Sequence, residues 1–335
     1  MKKQQIIATM KVQQQTSAAP QIQIGLSACL AGHAVRYNGG HTQSRLCLDV
    51  LSKHFTFKTF CPEVAAGFGT PRPTMRLTGD PSAPKLVFSK GDGGDLSEQL
   101  IKGFTPELAE MAALDGYILM KNSPSCGLQR VKVYQENGHP HQVKSAGLFA
   151  KALKKAYPSM PIEEEGRLND NKIFDNFVQR IYAYHNFRTE VMAQPGLHKL
   201  TQFHSSYKYL LMAHDQRKCR ELGQLLASGK KMPLQQLTGR YLAQFMQALE
   251  QPASKKNHAN ALLHILGYIK KSLPSPAKQD ILAVIDRYKS GITPLATPLA
   301  LLSHYLNQHG SVYIKAQRYL NPYPQSMHPI RHFCR

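Results

Sequence analysis

The chain has 335 residues, 42% apolar and 19% charged, with Lys+Arg 42 against Asp+Glu 21 for a net charge of +21. This composition excludes wholesale disorder, and no run approaches the roughly 18 consecutive apolar residues of a membrane-spanning helix. An excess of positive charge this large repels itself unless a polyanion relieves it. Nucleic acid is therefore the expected partner, ahead of an anionic membrane surface.

Residues 1–20 carry two early lysines and several glutamines, without the continuous apolar stretch of a secretory signal. They read as a flexible N-terminal tail. Six cysteines are too sparse for a disulfide scaffold, so the expectation is a cytoplasmic protein with reduced thiols. Gln21–Leu26 (QIQIGL), Phe55–Phe60 (FTFKTF) and Gly116–Met120 (GYILM) have the length and patterning of strands. Ser44–His54 and Leu96–Leu114, between them, read as helices. Strand, helix, strand, helix, strand predicts an α/β domain over 21–160: a Rossmann-like, largely parallel sheet with flanking helices.

Tyr157–Gly166, with two prolines, three glutamates and a glycine, reads as a junction. Beyond it the chain is helical almost to its end. Helices are predicted at Asp170–Met192, Leu197–Gln216, Arg217–Ala227, Leu234–Glu250, Lys255–Ser272, Ala277–Ser290 and Pro298–Asn307. Ala261, Leu262, Ile265, Leu266 and Ile269 form an apolar stripe at helical spacing. Short connections holding Pro or Gly predict an all-α bundle domain over 161–335. Residues 1–166 hold 19 Lys+Arg and 13 Asp+Glu (+6), whereas residues 167–335 hold 23 and 8 (+15). The helical domain is accordingly expected to bind RNA.

Three cysteines follow three predicted strands: Cys29 in SACLAG, Cys61 in CPE and Cys126 in SPSCG. Parallel strands end at one edge of an open sheet, and ligands bind there. Thiols separated by 32 and 65 residues can thus meet. Converging thiols suit zinc or an iron–sulfur cluster, and three on a cubane leave one iron without a protein ligand. The plain alternative is three unrelated buried cysteines. Cys47, in the apolar run LCLDVL, reads as core. Cys219 and Cys334 read as incidental.

The segments SACLAGHAVRYNGG, CPEVAAGFGTPRP and SPSCG, in that order, resemble the thiouracil desulfidase (TudS) family over residues 22 to about 160. HSSYKYLLMAH, NHANALLHILGYIKK, IDRYKSGITPL and QRYLNPYP resemble a helical YbgA-like family. The fusion resembles tRNA 4-thiouridine desulfidases. The resemblance implies a [4Fe-4S] cluster on Cys29, Cys61 and Cys126, and a redox-neutral exchange of thiocarbonyl sulfur for water oxygen.

That chemistry needs a proton-transfer group, for which Glu63, two residues after Cys61, is the candidate. Ser123 and Ser125 are candidates for stabilising developing charge, their plain role being an ordinary Ser-Pro turn. Ser27, Arg36, Tyr37, Arg72 and Asn122 are candidate substrate-binding residues, with Arg72 held on a stiff Pro-flanked loop for a phosphate. Lys121, Lys208, Lys270, Lys271, Arg287, Lys289 and Arg318 are candidate RNA contacts, near Tyr207, Tyr209, Tyr268, Tyr288 and Tyr319 in sequence. His204, His214 and His264 read as core or capping residues. No P-loop or dinucleotide motif supports ATP, NAD or flavin. The leading expectation is a tRNA 4-thiouridine desulfidase. The alternatives are a desulfidase of free thiouracil or thionucleosides, and a non-catalytic RNA-binding or sulfur-relay module with a structural metal site.

Overall fold

The computed structural model describes residues 21–91 and 94–327. The tail over 1–20 and Cys334 lie outside the described residues. Among the described residues seven strands are present: β1 (Gln23–Ser27), β2 (Thr56–Phe60), β3 (Met75–Thr78), β4 (Lys85–Phe88), β5 (Gly116–Leu119), β6 (Val133–Tyr134) and β7 (Ile162–Glu164). The main sheet has the order β2-β1-β5-β7, and every pair in it is parallel. Ser27 lies opposite Phe60, and Leu26 opposite Ile118, so β1, β2 and β5 finish nearly level. A smaller sheet, β4-β3-β6, grows from the loops that follow Cys61 and Cys126.

The helices are α1 (Pro62–Ala65), α2 (Ser97–Glu110), α3 (Leu148–Ala156), α4 (Asn171–Phe187), α5 (Leu197–His214), α6 (Gln216–Ala227), α7 (Leu234–Ala248), α8 (Lys255–Leu266), α9 (Ser275–Lys289), α10 (Ala296–His309) and α11 (Val312–Lys315). Asp170 caps α4 through Lys172 N and Ile173 N. Asp215 caps α6 through Lys218 N, and Ser254 caps α8 through Asn257 N. The expected helix over 44–54 is instead a π turn at Leu46–Val50 followed by a 3-10 turn at Leu51–Lys53. The expected helix over 255–272 stops at Leu266 and continues as turns.

One face of the main sheet is covered by Phe149, Ala150 and Leu153 of α3 and Leu100 and Phe104 of α2. The other is covered by Phe174, Phe177, Val178 and Ile181 of α4, packed with Ile22, Ile24, Leu26, Leu30, Phe55 and Ile118. A parallel sheet needs both faces buried, and here the second cover comes from the helical half of the chain. Asp115, just before β5, joins the two halves by accepting from Arg188 Nη1 at 2.7 Å and lying 2.8 Å from His185 Nδ1. Residues 157–166 are correspondingly no linker. They hold β7, whose three residues are all buried, so the sheet runs four residues past the expected boundary at 160.

From α4 onward no strand occurs among the described residues. Helix α5 packs against α6, α7 and α8 around Phe187, Phe203, Tyr207, Tyr241 and Phe245. The fold is an α/β domain followed by a helical bundle. No helix among the described residues is long and apolar enough to cross a membrane.

Candidate active site at the carboxyl edge of the sheet

Each cysteine sits where a parallel strand gives way to a turn. Cys29 is in the 3-10 turn Ala28–Ala31 after β1, Cys61 is the residue before α1, and Cys126 is in the loop after β5. Pro62 pre-sets the first turn of α1, so Glu63 follows the strand end at once. Gly103 of α2 lets α1 dock, since a Cβ there would stand 2.3 Å from Ala66 Cα. Asn122 adopts φ 59°, a conformation Asn tolerates better than most residues, and turns the chain from β5 toward Ser123.

Ser27, Cys29, Arg36, Tyr37, Cys61, Glu63, Arg72, Lys121, Asn122, Ser123 and Cys126 all line one cavity of about 240 Å³. Phe60, Met75 and Met120 give it apolar walls. Burial pushes the Cys29 thiol up to about 11, with further upward effects from neighbouring Cys61 and Glu63. Burial raises Cys61, and Glu63 adds to it. Burial also raises Cys126 well above the usual range, and Glu63, Cys61 and Cys29 each push further. The three thiols are thus close enough to feel one another's charge.

Glu63 is gripped on both oxygens. Its Oε2 accepts from Arg72 Nε at 3.1 Å and from Arg72 Nη2. Its Oε1 accepts from Ser125 Oγ at 2.8 Å and from Ser123 Oγ at 3.4 Å. The Arg72 side chain is only 3% exposed and that of Glu63 13%. Arg72 is therefore not free to meet a phosphate, the role expected for it. Its remaining donor, Nη1, is bonded to the Gly69 carbonyl at 2.8 Å, and its backbone N–H donates to the Tyr37 carbonyl. It orients the carboxylate and ties two loops together.

The serines divide their work. Ser123 Oγ accepts from Ser125 N at 3.2 Å and Cys126 N at 3.1 Å, so it also shapes the cysteine loop. Ser27 is 2% exposed, and its Oγ accepts from Met120 N at 3.0 Å and bonds Cys126. Its hydroxyl is committed to the end of β5, contrary to the substrate contact expected of it. Arg36 donates to Thr42 Oγ1 at 2.7 Å and lies 5.7 Å over the half-exposed Tyr37 ring.

The helical-half residues lie apart from this cavity. Lys270, Lys271, Arg287 and Lys289 are exposed. Lys208 Nζ rests 5.8 Å over the Tyr209 ring. Arg318 is paired with Glu190 at 2.6 Å, which takes up the charge expected to meet RNA. Tyr207, Tyr209, Tyr288 and Tyr319 are core residues at 1–5% exposure, so of the five tyrosines only Tyr268 is exposed enough to meet a base. His204 lies 3.1 Å from Tyr241 Oη, and His214 lies 2.8 Å from the Gln251 carbonyl.

One participant had no sequence signal. Tyr117 of β5 lays its ring across Gly25 of β1, where a Cβ would stand 2.1 Å from Cδ2. Its hydroxyl is buried without a hydrogen-bond partner among the described residues and feels the charge of all three thiols. A buried hydroxyl donor with no acceptor, within the electrostatic reach of three thiols, is unsatisfied unless something else fills the space.

The model of the family described as 2-thiouracil desulfurase matches residues 24–165, and that of a family of unknown function matches 208–324. The protein YbgA of Escherichia coli is 30% identical over 168 residues, which are 49% of this chain and 98% of the relative. The chain belongs to the YbgA family over its helical half, and joins to it a 2-thiouracil desulfurase domain. YbbK of Bacillus subtilis is 29% identical over 43% of the chain and 97% of its own length. A solved structure described as a [4Fe-4S]-dependent thiouracil desulfidase, TudS, is 30% identical over 44% of this chain and 94% of its own, with a TM-score of 0.36. Every thiol in the cavity belongs to the desulfurase domain. The YbgA-like domain contributes none of the lining residues.

Proposed function

We propose that the chain removes sulfur from 4-thiouridine in tRNA, replacing the C4 thiocarbonyl with a carbonyl from water and releasing hydrosulfide. The observation that supports this most is the meeting of Cys29, Cys61, Cys126 and Glu63 in one base-sized cavity. A [4Fe-4S] cluster, the group named for the similar desulfidase, is assigned to those three thiols. The donor set fits it: three sulfurs on one cavity wall, that of Cys126 buried and those of Cys29 and Cys61 half-buried, whose protons are held tightly until a cationic group takes their place. The unpartnered Tyr117 hydroxyl is compatible with it, since a sulfur-rich group beside these thiols would offer an acceptor. Among the described residues no three His, Cys, Asp or Glu side chains close around a single point as one metal ion requires. Ligands of a multi-iron cluster bind different irons and need not meet at a point. When bound, such a cluster would supply a soft Lewis acid for sulfur.

The chain's own residues do the rest. Phe60, Met75 and Met120 exclude bulk water from the ring of the base. Glu63 Oε1 takes one proton of the water that adds at C4 and returns it to the leaving sulfur, which departs as hydrosulfide, while the second water proton passes to solvent as the carbonyl forms. One C–O bond forms, one C–S bond breaks, and no electrons are gained or lost. Arg72 fixes Oε2, so the carboxylate presents Oε1 alone. Ser123 and Ser125 donate to that oxygen and keep it aimed.

The test is anaerobic incubation with thiolated tRNA, followed by nucleoside mass spectrometry. Uridine must replace 4-thiouridine in equal amounts; unchanged 4-thiouridine with a full metal complement ends the proposal. Iron and sulfide content must fall in Cys29→Ala, Cys61→Ala and Cys126→Ala. It must persist in Cys47→Ala, whose thiol is fully buried in the core under β1. The cavity volume alone also suits a free thiouracil. Turnover of thiouracil and thiolated tRNA in parallel separates that reading.

A further inference from the structure

A second concavity, about 670 Å³, opens beside the cysteine cavity and shares Met75, Lys121, Asn122 and Pro124 with it. It lies on the desulfurase domain, against the small sheet. Arg76, Lys121, Arg130, Lys132, Lys144 and Arg167 line it. Only Arg167 among these makes a salt bridge among the described residues, to Glu163 at 2.9 Å. The one carboxylate in the lining, Glu164, is 3% exposed and accepts from Leu128 N at 2.7 Å. Five cations therefore face a groove with no surface acid to neutralise them.

Their placement follows from strand geometry. In RVKVY (130–134), Val131 and Val133 turn inward and are buried at 4% and 0%, so Arg130, Lys132 and Tyr134 share the open face. Alternate residues stand roughly 6.6 Å apart, near the interval between phosphates of an extended strand. Arg76 of β3 stacks its guanidinium 5.1 Å over the Tyr134 ring, and its Nε is buried without a hydrogen-bond partner. Lys121 runs over Gly166, where any Cβ would meet its side chain at 2.6 Å, and so stands at the lip between groove and cavity. A free base needs none of this.

We propose that the groove seats the phosphate backbone of a single RNA strand, with Arg130, Lys132 and Lys144 on successive phosphates and the thiolated base turned past Lys121 and Asn122 into the cysteine cavity. This rests on the desulfidase reading for the base and extends it by placing the polynucleotide on the desulfurase domain. A strand is favoured over a duplex because the target base must leave any stack to reach the thiols.

The test compares the full-length protein with an Arg130→Ser, Lys132→Ser, Lys144→Ser variant, all three side chains being exposed. The probe for binding is a fluorescein-labelled uridine-rich ten-nucleotide RNA, followed by anisotropy from low to high salt. Each lost phosphate contact lowers the slope of log K against log salt by about 0.7, so the variant should lose roughly 2 in slope. Turnover on thiolated RNA relative to free 4-thiouridine should fall at least tenfold. A variant that binds the RNA with wild-type affinity and slope overturns the groove, whatever the turnover. So does displacement of the RNA by polyglutamate at equal charge concentration, which marks a site for acidic protein. Wild-type RNA binding that the variant loses, without desulfidation of any substrate, upholds the groove and removes the activity.

Discussion

The Glu63–Arg72 pair offers the sharpest test of how this site is held. Arg72 is nearly sealed from water and gives two donors to Glu63 Oε2, one to Gly69 and one to the Tyr37 loop through its backbone. Arg72→Ala leaves the Glu63 carboxylate 13% exposed with two hydroxyl donors and no cation. An orphaned buried charge of this kind costs about 3–5 kcal/mol. Glu63→Gln with Arg72→Met removes both charges and keeps an acceptor for the serines. It should cost no more than about 1–2 kcal/mol, because no charge is left stranded. The assay is urea unfolding followed by circular dichroism, as the chain has no tryptophan. The coupling energy comes from the double-mutant cycle closed with Arg72→Met and Glu63→Gln as its single variants. An Arg72→Ala loss below about 1 kcal/mol, or a double variant as unstable as the two singles combined, refutes the claim that this ion pair organises the edge of the sheet. The Glu63→Gln, Arg72→Met pair, which strands no charge, then separates scaffolding from chemistry. It should bind thiolated RNA normally and turn over 10²–10⁴ times more slowly, the usual share of a proton-transfer group.

Three further outcomes follow from the packing. Gly25→Ala drives a methyl into the Tyr117 ring and should destabilise by about 1–3 kcal/mol, with Tyr117→Leu in the same chain restoring part of it; equal melting temperatures for Gly25→Ala and wild type would show that the ring yields freely. Burial lowers His204 to about 4, so between that value and the ordinary 6.5 the unfolded chain binds the extra proton, and stability present above pH 6.5 drains away as pH falls, by at most roughly 3 kcal/mol. His204→Gln should flatten that slope in urea titrations at pH 6.5 and 4.5, and an unchanged slope would assign it to other groups. A chain ended after residue 166 loses α4 from the sheet, exposing Ile22, Ile24 and Ile118, and should aggregate on expression; a monomeric, cooperatively melting fragment would show that the desulfurase domain closes its own core.

The main sheet was legible because strands of normal length with apolar patterning alternate with helical periodicity, and parallel order follows from that alternation. The placement of Cys29, Cys61 and Cys126 at strand ends was legible for the same reason. The small sheet was not. MRLT, KLVF and VY are too short, and their neighbours too rich in Gly, Pro, Ser and Lys, to stand out from loop. β7 was hidden because Tyr157–Gly166 carries the residues of a linker, while its glutamates are absorbed locally: Glu164 by Leu128 N and Glu163 by Arg167. Arg72 was misjudged because its flanking prolines suggest a rigid surface loop, whereas the loop folds back over α1 and buries the guanidinium. Tyr117 had no signature at all. Its role depends on a glycine 92 positions away in the chain, paired with it only through strand register.

Charge shows where the limits of counting lie. The helical half holds most of the positive excess, yet Arg318 is neutralised by Glu190, and Lys208 lies against an aromatic ring. Summed charge governs how a polyanion is drawn in from a distance, an effect that decays within about 10 Å at 0.1 M salt. Contact is decided by cations that are unpaired, convex on no side and set at a repeat the ligand shares. The desulfurase domain, with the smaller excess, carries such a set in Arg76, Lys121, Arg130, Lys132 and Lys144, beside the thiols. In the YbgA-like domain α4 completes the sheet, and on the proposed function the bundle's exposed lysines should raise the local concentration of RNA. The two parts are separable by salt, because steering should vanish first and groove contacts last. Charge reversal at Lys270, Lys271 and Lys289 should therefore slow association at low salt and leave dissociation nearly unchanged, whereas the groove variant should speed dissociation.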